Sequence, residues 1–161
     1  MKIGVAIEET HDAEAQLARR LRALGERHKA DHDVYHLTRT LAEQAEQRMR
    51  ALEPHADRYD ASLGSSDSDG GGGLLATARE KASELAGRRP ETALLLLRDI
   101  RELHLLAAEA SIDWTILGQG AQAARDAELL ATVSASHPDT LRALRWTTTK
   151  LKESAPQALT S

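Results

Sequence analysis

Leu96, Ile100, Leu103, Ala107, Ala110, Trp114 and Leu117 follow one another at alternating steps of four and three residues. A repeat of this kind keeps apolar side chains on one side of a 3.6-residue helix for about six turns. No strand satisfies it, because strand faces alternate every second residue. The stretch therefore demands a long helix packed along its length, and the fold class predicted for the chain is all-α. Most of the 41% hydrophobic content is Ala and Leu, with no Phe, two Trp and two Tyr. Small and branched side chains of this kind fill the space between helices better than that between two sheets.

The length of 161 residues suits a single domain with its own core, spanning residues 1–161. The chain has no Cys, so thiolate chemistry and disulfides play no part. A net charge of −4 spread over mixed-sign helices offers no basic stripe to a phosphate backbone, so no nucleic-acid partner is expected. The opening Met1–Ile7 is too short for a signal peptide or membrane span, and a cytoplasmic protein with no membrane partner is expected.

Thr10 or Asp12 is placed to cap a first helix running to about Lys29, with Ala13, Leu17, Leu21, Leu24 and His28 on one face. Asp31 caps the second, whose stripe is Val34, Leu37, Leu41, Ala45, Met49 and Leu52 and which Pro54 ends. A joint this tight makes an antiparallel hairpin. Residues 60–73, with their Ser/Asp content and the Gly70–Gly73 run, read as a flexible loop. A short helix over Leu74–Ala86 follows, closed by Gly87, and Pro90 opens the long third helix to about Ala124, with a possible break near Gly118 and Gly120. Asp126 caps a fourth helix bearing Leu130, Val133, His137, Leu141, Leu144 and Leu151, kinked at Pro138 and ended by Pro156. Two hairpins joined by one long crossover, with a short extra helix, is the connectivity of a ferritin-like four-helix bundle.

The run Asp12-Ala13-Glu14-Ala15-Gln16-Leu17 resembles the Asp-Ala-Glu-x-Gln-Leu signature of the YciE/YciF-like stress-protein branch of the ferritin-like superfamily. The second half is similar more loosely: an acidic residue in the third helix, then Asp126, Leu129-Leu130, and Ser136-His137 where the family carries Glu-Glu. The resemblance covers most of the chain in helix order and few positions in residue identity. It implies a four-helix bundle, often dimeric, in which some members hold a carboxylate-bridged metal pair.

Such a di-iron or di-manganese centre requires inward carboxylates and two Glu-x-x-His pairs, and the chain has only one such spacing, Glu8-x-x-His11. Asp33-x-x-His36 comes nearest to a second, but His32 and His36 fall opposite the apolar stripe of the second helix and read as solvated. Four polar residues read as inward or flanking: Glu14, Arg48, His137 and, by its match to the family position, Glu109. Glu109 turns inward only if a second apolar row of the third helix, Leu94, Leu105, Ile112 and Ile116, faces the core. Spacing alone leaves open which row does, and a helix apolar on two sides must be covered twice, by the short helix or by another subunit.

Two readings compete. Glu14, Glu109 and His137 could hold an iron or manganese ion with Arg48 nearby, making a metal-dependent oxidase or storage protein. Alternatively the Arg48 cation stands in for the lost metal and pairs with Glu14 or Glu109, leaving a cofactor-free, non-enzymatic bundle that acts through oligomerisation or partner binding. The second is favoured, because a guanidinium among the ligands repels a metal ion. Asp99, Glu102, Glu109 and Asp113 read as a solvated flank balanced by Arg98 and Arg101, and Trp114 as core packing. Trp146 reads as an exposed indole suited to a homodimer contact. The Gly70–Gly73 run lacks the Lys-Ser/Thr of a phosphate loop. The Ser residues clustered beside it have no inward His and acid to activate them.

Overall fold

The computed structural model describes residues 2–64 and 92–160. The expected short helix over Leu74–Ala86, the Gly70–Gly73 linker and Pro90 lie outside the described residues. Four long helices account for nearly all of the rest: α1 (Ile3–Arg27), α2 (His32–Ala56), α3 (Thr92–Ala123) and α4 (Ala127–Thr160). A 3₁₀ turn, Asp57–Tyr59, extends α2, and the described residues contain no strand.

α1 begins earlier than the capping residues suggested. Ile3 and Ile7 continue its buried stripe, and the Thr10 hydroxyl donates to the Ala6 carbonyl at 2.7 Å instead of capping a helix start. Asp31 does cap α2, accepting from the Val34 N–H at 3.1 Å. Pro54 does not end α2, which runs on to Ala56. Nor do Gly118 and Gly120 break α3. A Cβ at Gly118 would sit 3.2 Å from Val133 Cγ1, so that glycine serves the close approach of α4. α3 ends in a Schellman turn in which the Arg125 N–H donates to Gln122 O and the Asp126 N–H to Ala121 O. The Asp126 carboxylate then caps α4 through the Leu129 N–H at 2.9 Å. α4 runs through both Pro138 and Pro156 to Thr160, about 50 Å for its 34 residues at 1.5 Å each.

α1 packs against α2 and α3, and α4 packs against α3 and α2, so α1 and α4 face each other across one diagonal. Neighbours are antiparallel. Along α1, His28 meets Asp99 and Glu14 meets Trp114. Along α2, Asp31 meets Lys150 and His55 meets Thr132. α2 and α3 therefore run in the same direction, and the chain between them joins opposite ends of the bundle.

The core has two apolar clusters. One surrounds Leu17, Leu21, Leu24, Ile100 and Leu103, and the other Ile7, Leu52, Trp114, Leu117 and Leu129. The repeat beginning at Leu96 faces inward as its spacing required: Leu96 is half-buried and its other six residues are buried. The opposite row stays outside, with Leu105, Ile112 and Ile116 exposed by 53, 60 and 52%. Trp146 is half-buried against the first cluster, so its indole is not the exposed contact expected.

The inward face of α4 differs from expectation. Leu129, Val133, Ser136, Thr140, Ala143 and Thr147 are buried, while Leu141 is exposed and Leu130, His137, Leu144 and Leu151 are half-buried. Thr140 and Thr147 fit a tight seam because their hydroxyls find internal acceptors in Glu14 and the Leu144 carbonyl, which a stripe drawn on hydrophobicity overlooks. α2 repeats the lesson. Leu37 lies at the surface and Thr38 beside it is buried, its hydroxyl 2.8 Å from Val34 O.

Candidate functional site at the centre of the bundle

Between the two apolar clusters each helix contributes one polar residue to a single contact. Glu14 faces inward because it shares a face of α1 with Leu17 and Leu21. Arg48 lies between Ala45 and Leu52 on α2, Trp114 on the repeat of α3, and Thr140 between Ser136 and Ala143 on α4. Glu14 is fully buried and accepts four hydrogen bonds. Arg48 donates from Nε to Oε1 and from Nη2 to Oε2, each at 2.8 Å. Trp114 Nε1 and Thr140 Oγ1 both donate to Oε1, at 2.6 and 2.7 Å.

The arrangement meets the demands of a buried charge. A carboxylate stripped of water needs a counter-ion and filled lone pairs, and the planar guanidinium supplies the first in two-point geometry. Trp114, expected only to pack, is also a donor here. One atom is left over: Arg48 Nη1 is buried without a hydrogen-bond partner.

The other residues expected at a metal centre do not join this contact. Glu109 is exposed on the outer side of α3, because the row beside it faces away from the core. His137 is half-buried at the α3–α4 seam, where its Nε2 lies 2.9 Å from Ser111 Oγ. Burial holds the His137 pKa below 6.5, against the opposing pull of Glu14. Among the described residues no group of three His, Asp or Glu side chains converges as a metal cluster. A cation approaching Glu14 would have to displace Arg48 from both oxygens, so this donor set does not fit an iron or manganese pair.

Ser111 and His137 pair a hydroxyl with an imidazole, yet the surroundings lack what acyl transfer needs. Ser111 lies in mid-helix, where backbone N–H groups are committed to carbonyls one turn back and cannot form an oxyanion hole. The pair joins α3 to α4. His32 and His36 are exposed as expected, with their rings 5.2 Å apart.

Two further polar clusters brace the ends of the bundle. Asp99, expected on a solvated flank, is only 3% exposed. It accepts from Arg27 Nη1 at 2.8 and 3.0 Å and from Arg20 Nη2 at 3.1 Å, and His28 Nε2 lies 2.7 Å away. Burial pushes the Asp99 carboxyl up, but His28, Arg27 and Arg20 outweigh it and hold the group below its ordinary value. The counter-ions come from α1 and not from Arg98 and Arg101. The available signal was the seven-residue spacing of Arg20 and Arg27, which puts both on the side of α1 that meets α3. Further along the same flank, Asp113 is half-buried and pushed up by burial, by Glu109 and by Glu9.

At the other end, Arg58 Nη2 donates to His55 Nδ1 at 2.7 Å, and His55 Nε2 lies 2.8 Å from Thr132 Oγ1. Burial and Arg58 together lower the His55 pKa. Tyr59 donates to Asp126 at 2.7 Å, tying the end of α2 to the α3–α4 turn.

Compared with family models, curated proteins and solved structures, the chain finds no match. No helix among the described residues is long and apolar enough to cross a membrane.

Proposed function

We propose that this chain is a non-enzymatic helical bundle of ferritin-like connectivity in which an ion pair has replaced the metal centre, and that it acts by association with itself or a protein partner. The stress-related setting is the one that the first-helix resemblance implies. The observation that carries the reading is the two-point grip of Arg48 on Glu14, with Trp114 and Thr140 filling the remaining acceptor sites. Every helix spends an inward polar residue on closing this centre, and Glu109 lies outside it. The exposed apolar row of α3 gives such a protein a surface to work with.

The test is elemental analysis after anaerobic loading with Fe(II) or Mn(II) and removal of loosely held ions, with thermal unfolding recorded in parallel. The expected result is no stoichiometric metal and no shift in Tm. One or two ions per chain together with a raised Tm would overturn the reading in favour of an oxidase or storage protein.

A further inference from the structure

The row Leu105, Ile112 and Ile116 lies on the side of α3 opposite its buried repeat, and each side chain is more than half exposed. Around it stand charges that the fold leaves without ion-pair partners among the described residues: Arg98 and Arg101 before Leu105 and Glu109 after it. All three are exposed. Arg101 and Glu109 flank Leu105 at four residues on either side, and at about 100° per residue each falls within about 40° of it around the helix.

That distribution is self-complementary. Two-fold symmetry places the same surface of both copies face to face, and an axis perpendicular to α3 makes the two α3 helices run antiparallel. With the axis at Leu105, the two Leu105 side chains meet, each Arg101 is brought to the Glu109 of the other copy, Ile116 is carried toward the half-buried Leu94, and Ile112 lies against the stem of Arg98. A parallel arrangement would set Arg101 against Arg101 and Glu109 against Glu109. We infer that the occupant of this face is a second copy of the chain, docked antiparallel along α3 with Leu105 on the two-fold axis. The inference rests on the association reading above and gives it a partner and a register. Pairing also places a cation beside Glu109, whose charge otherwise acts on Asp113.

The chain has no Cys, so a single introduced thiol reports the register directly. Leu105→Cys in the full chain should form a disulfide-linked dimer under mild oxidation, whereas Gln47→Cys, on the exposed side of α2, should not. Sedimentation should show a dimer for the natural sequence. Arg101→Glu or Glu109→Arg alone should raise its dissociation constant by about tenfold or more, since each change counts twice in a symmetric pair, and the two together should restore it. All these positions are exposed, and circular dichroism verifies that each variant folds.

A monomer at every accessible concentration would overturn the inference. So would a dimer that is indifferent to the charge reversals and not cross-linked by Leu105→Cys. Metal content measured on the same samples separates the two claims. A metal-free monomer sinks the pairing alone, whereas a dimer carrying stoichiometric iron or manganese sinks the metal-free reading and leaves the pairing standing.

Discussion

Glu14 and Thr140 belong to helices that face each other across the diagonal of the bundle, and the hydroxyl of one lies 2.7 Å from the carboxylate of the other. Diagonal helices touch only where the side chains between them are small or bonded, and here both conditions hold. The contact makes the centre of the bundle a shared polar joint of all four helices, with apolar clusters on either side of it.

Removing Arg48 strands a buried carboxylate. Arg48→Met should therefore destabilise the fold by about 3–5 kcal/mol. Adding Glu14→Gln in the same chain should recover a large part of the loss, because the amide oxygen still accepts from Trp114 and Thr140 and no charge remains buried. Urea unfolding followed by Trp fluorescence measures both. A single variant within 1 kcal/mol of the parent, on the order of a surface pair, would show that the pair is not the keystone described.

Thr140→Val keeps the shape and deletes one donor to Glu14. A hydrogen bond to a charged group is worth about 1.5–3 kcal/mol, and a loss of that size is expected. Thr148→Val offers the contrast. Its hydroxyl bonds only the Leu144 carbonyl within the same helix, so its change should be smaller in the same assay.

Stability should fall in two stages as the pH is lowered. His55 and His137 have folded-state pKa values below 6.5, so the unfolded chain takes up protons first and stability declines as the pH drops below 6.5 toward those values. Asp99 lies below its ordinary 3.8, so its cluster contributes fully above that value and is lost as the pH falls through the folded-state pKa. Asp99→Asn should be less stable than the parent at neutral pH, and the gap should close in acid. A gap that persisted unchanged at the acid end would contradict this assignment.

Gly25 lets α1 approach α2 near their shared turn, since a Cβ there would collide with the Thr38 hydroxyl. Gly25→Ala should cost about 1–3 kcal/mol through overpacking. Combining it with Thr38→Ala should relieve the clash, and a double-mutant cycle with a coupling near zero would exclude the contact as the cause.

Arg125 holds a φ of 57° in the turn between α3 and α4, a left-handed conformation that suits glycine. Arg125→Gly should raise stability by about 1 kcal/mol, the relief of a strained backbone less the added freedom of the unfolded chain. A lower Tm would mean that the Arg125 side chain contributes more than its backbone loses.

The spacing of residues 96–117 and of residues 13–28 was enough to establish helices, their inward faces and the caps at Asp31 and Asp126, because periodicity and capping are local physics written along the chain. The pairing of Arg48 with a buried carboxylate was legible too, since an Arg inside an apolar stripe needs a counter-charge. Which carboxylate answered it was decided by tertiary structure, through the row of α3 that faces inward: that choice left Glu109 in solvent and brought Glu14 to the guanidinium. Asp99, Thr140 and Thr38, and the donor role of Trp114, were illegible for a related reason. Polar atoms become core atoms only when another helix supplies the missing partner, and a single helix read alone does not show who that partner is.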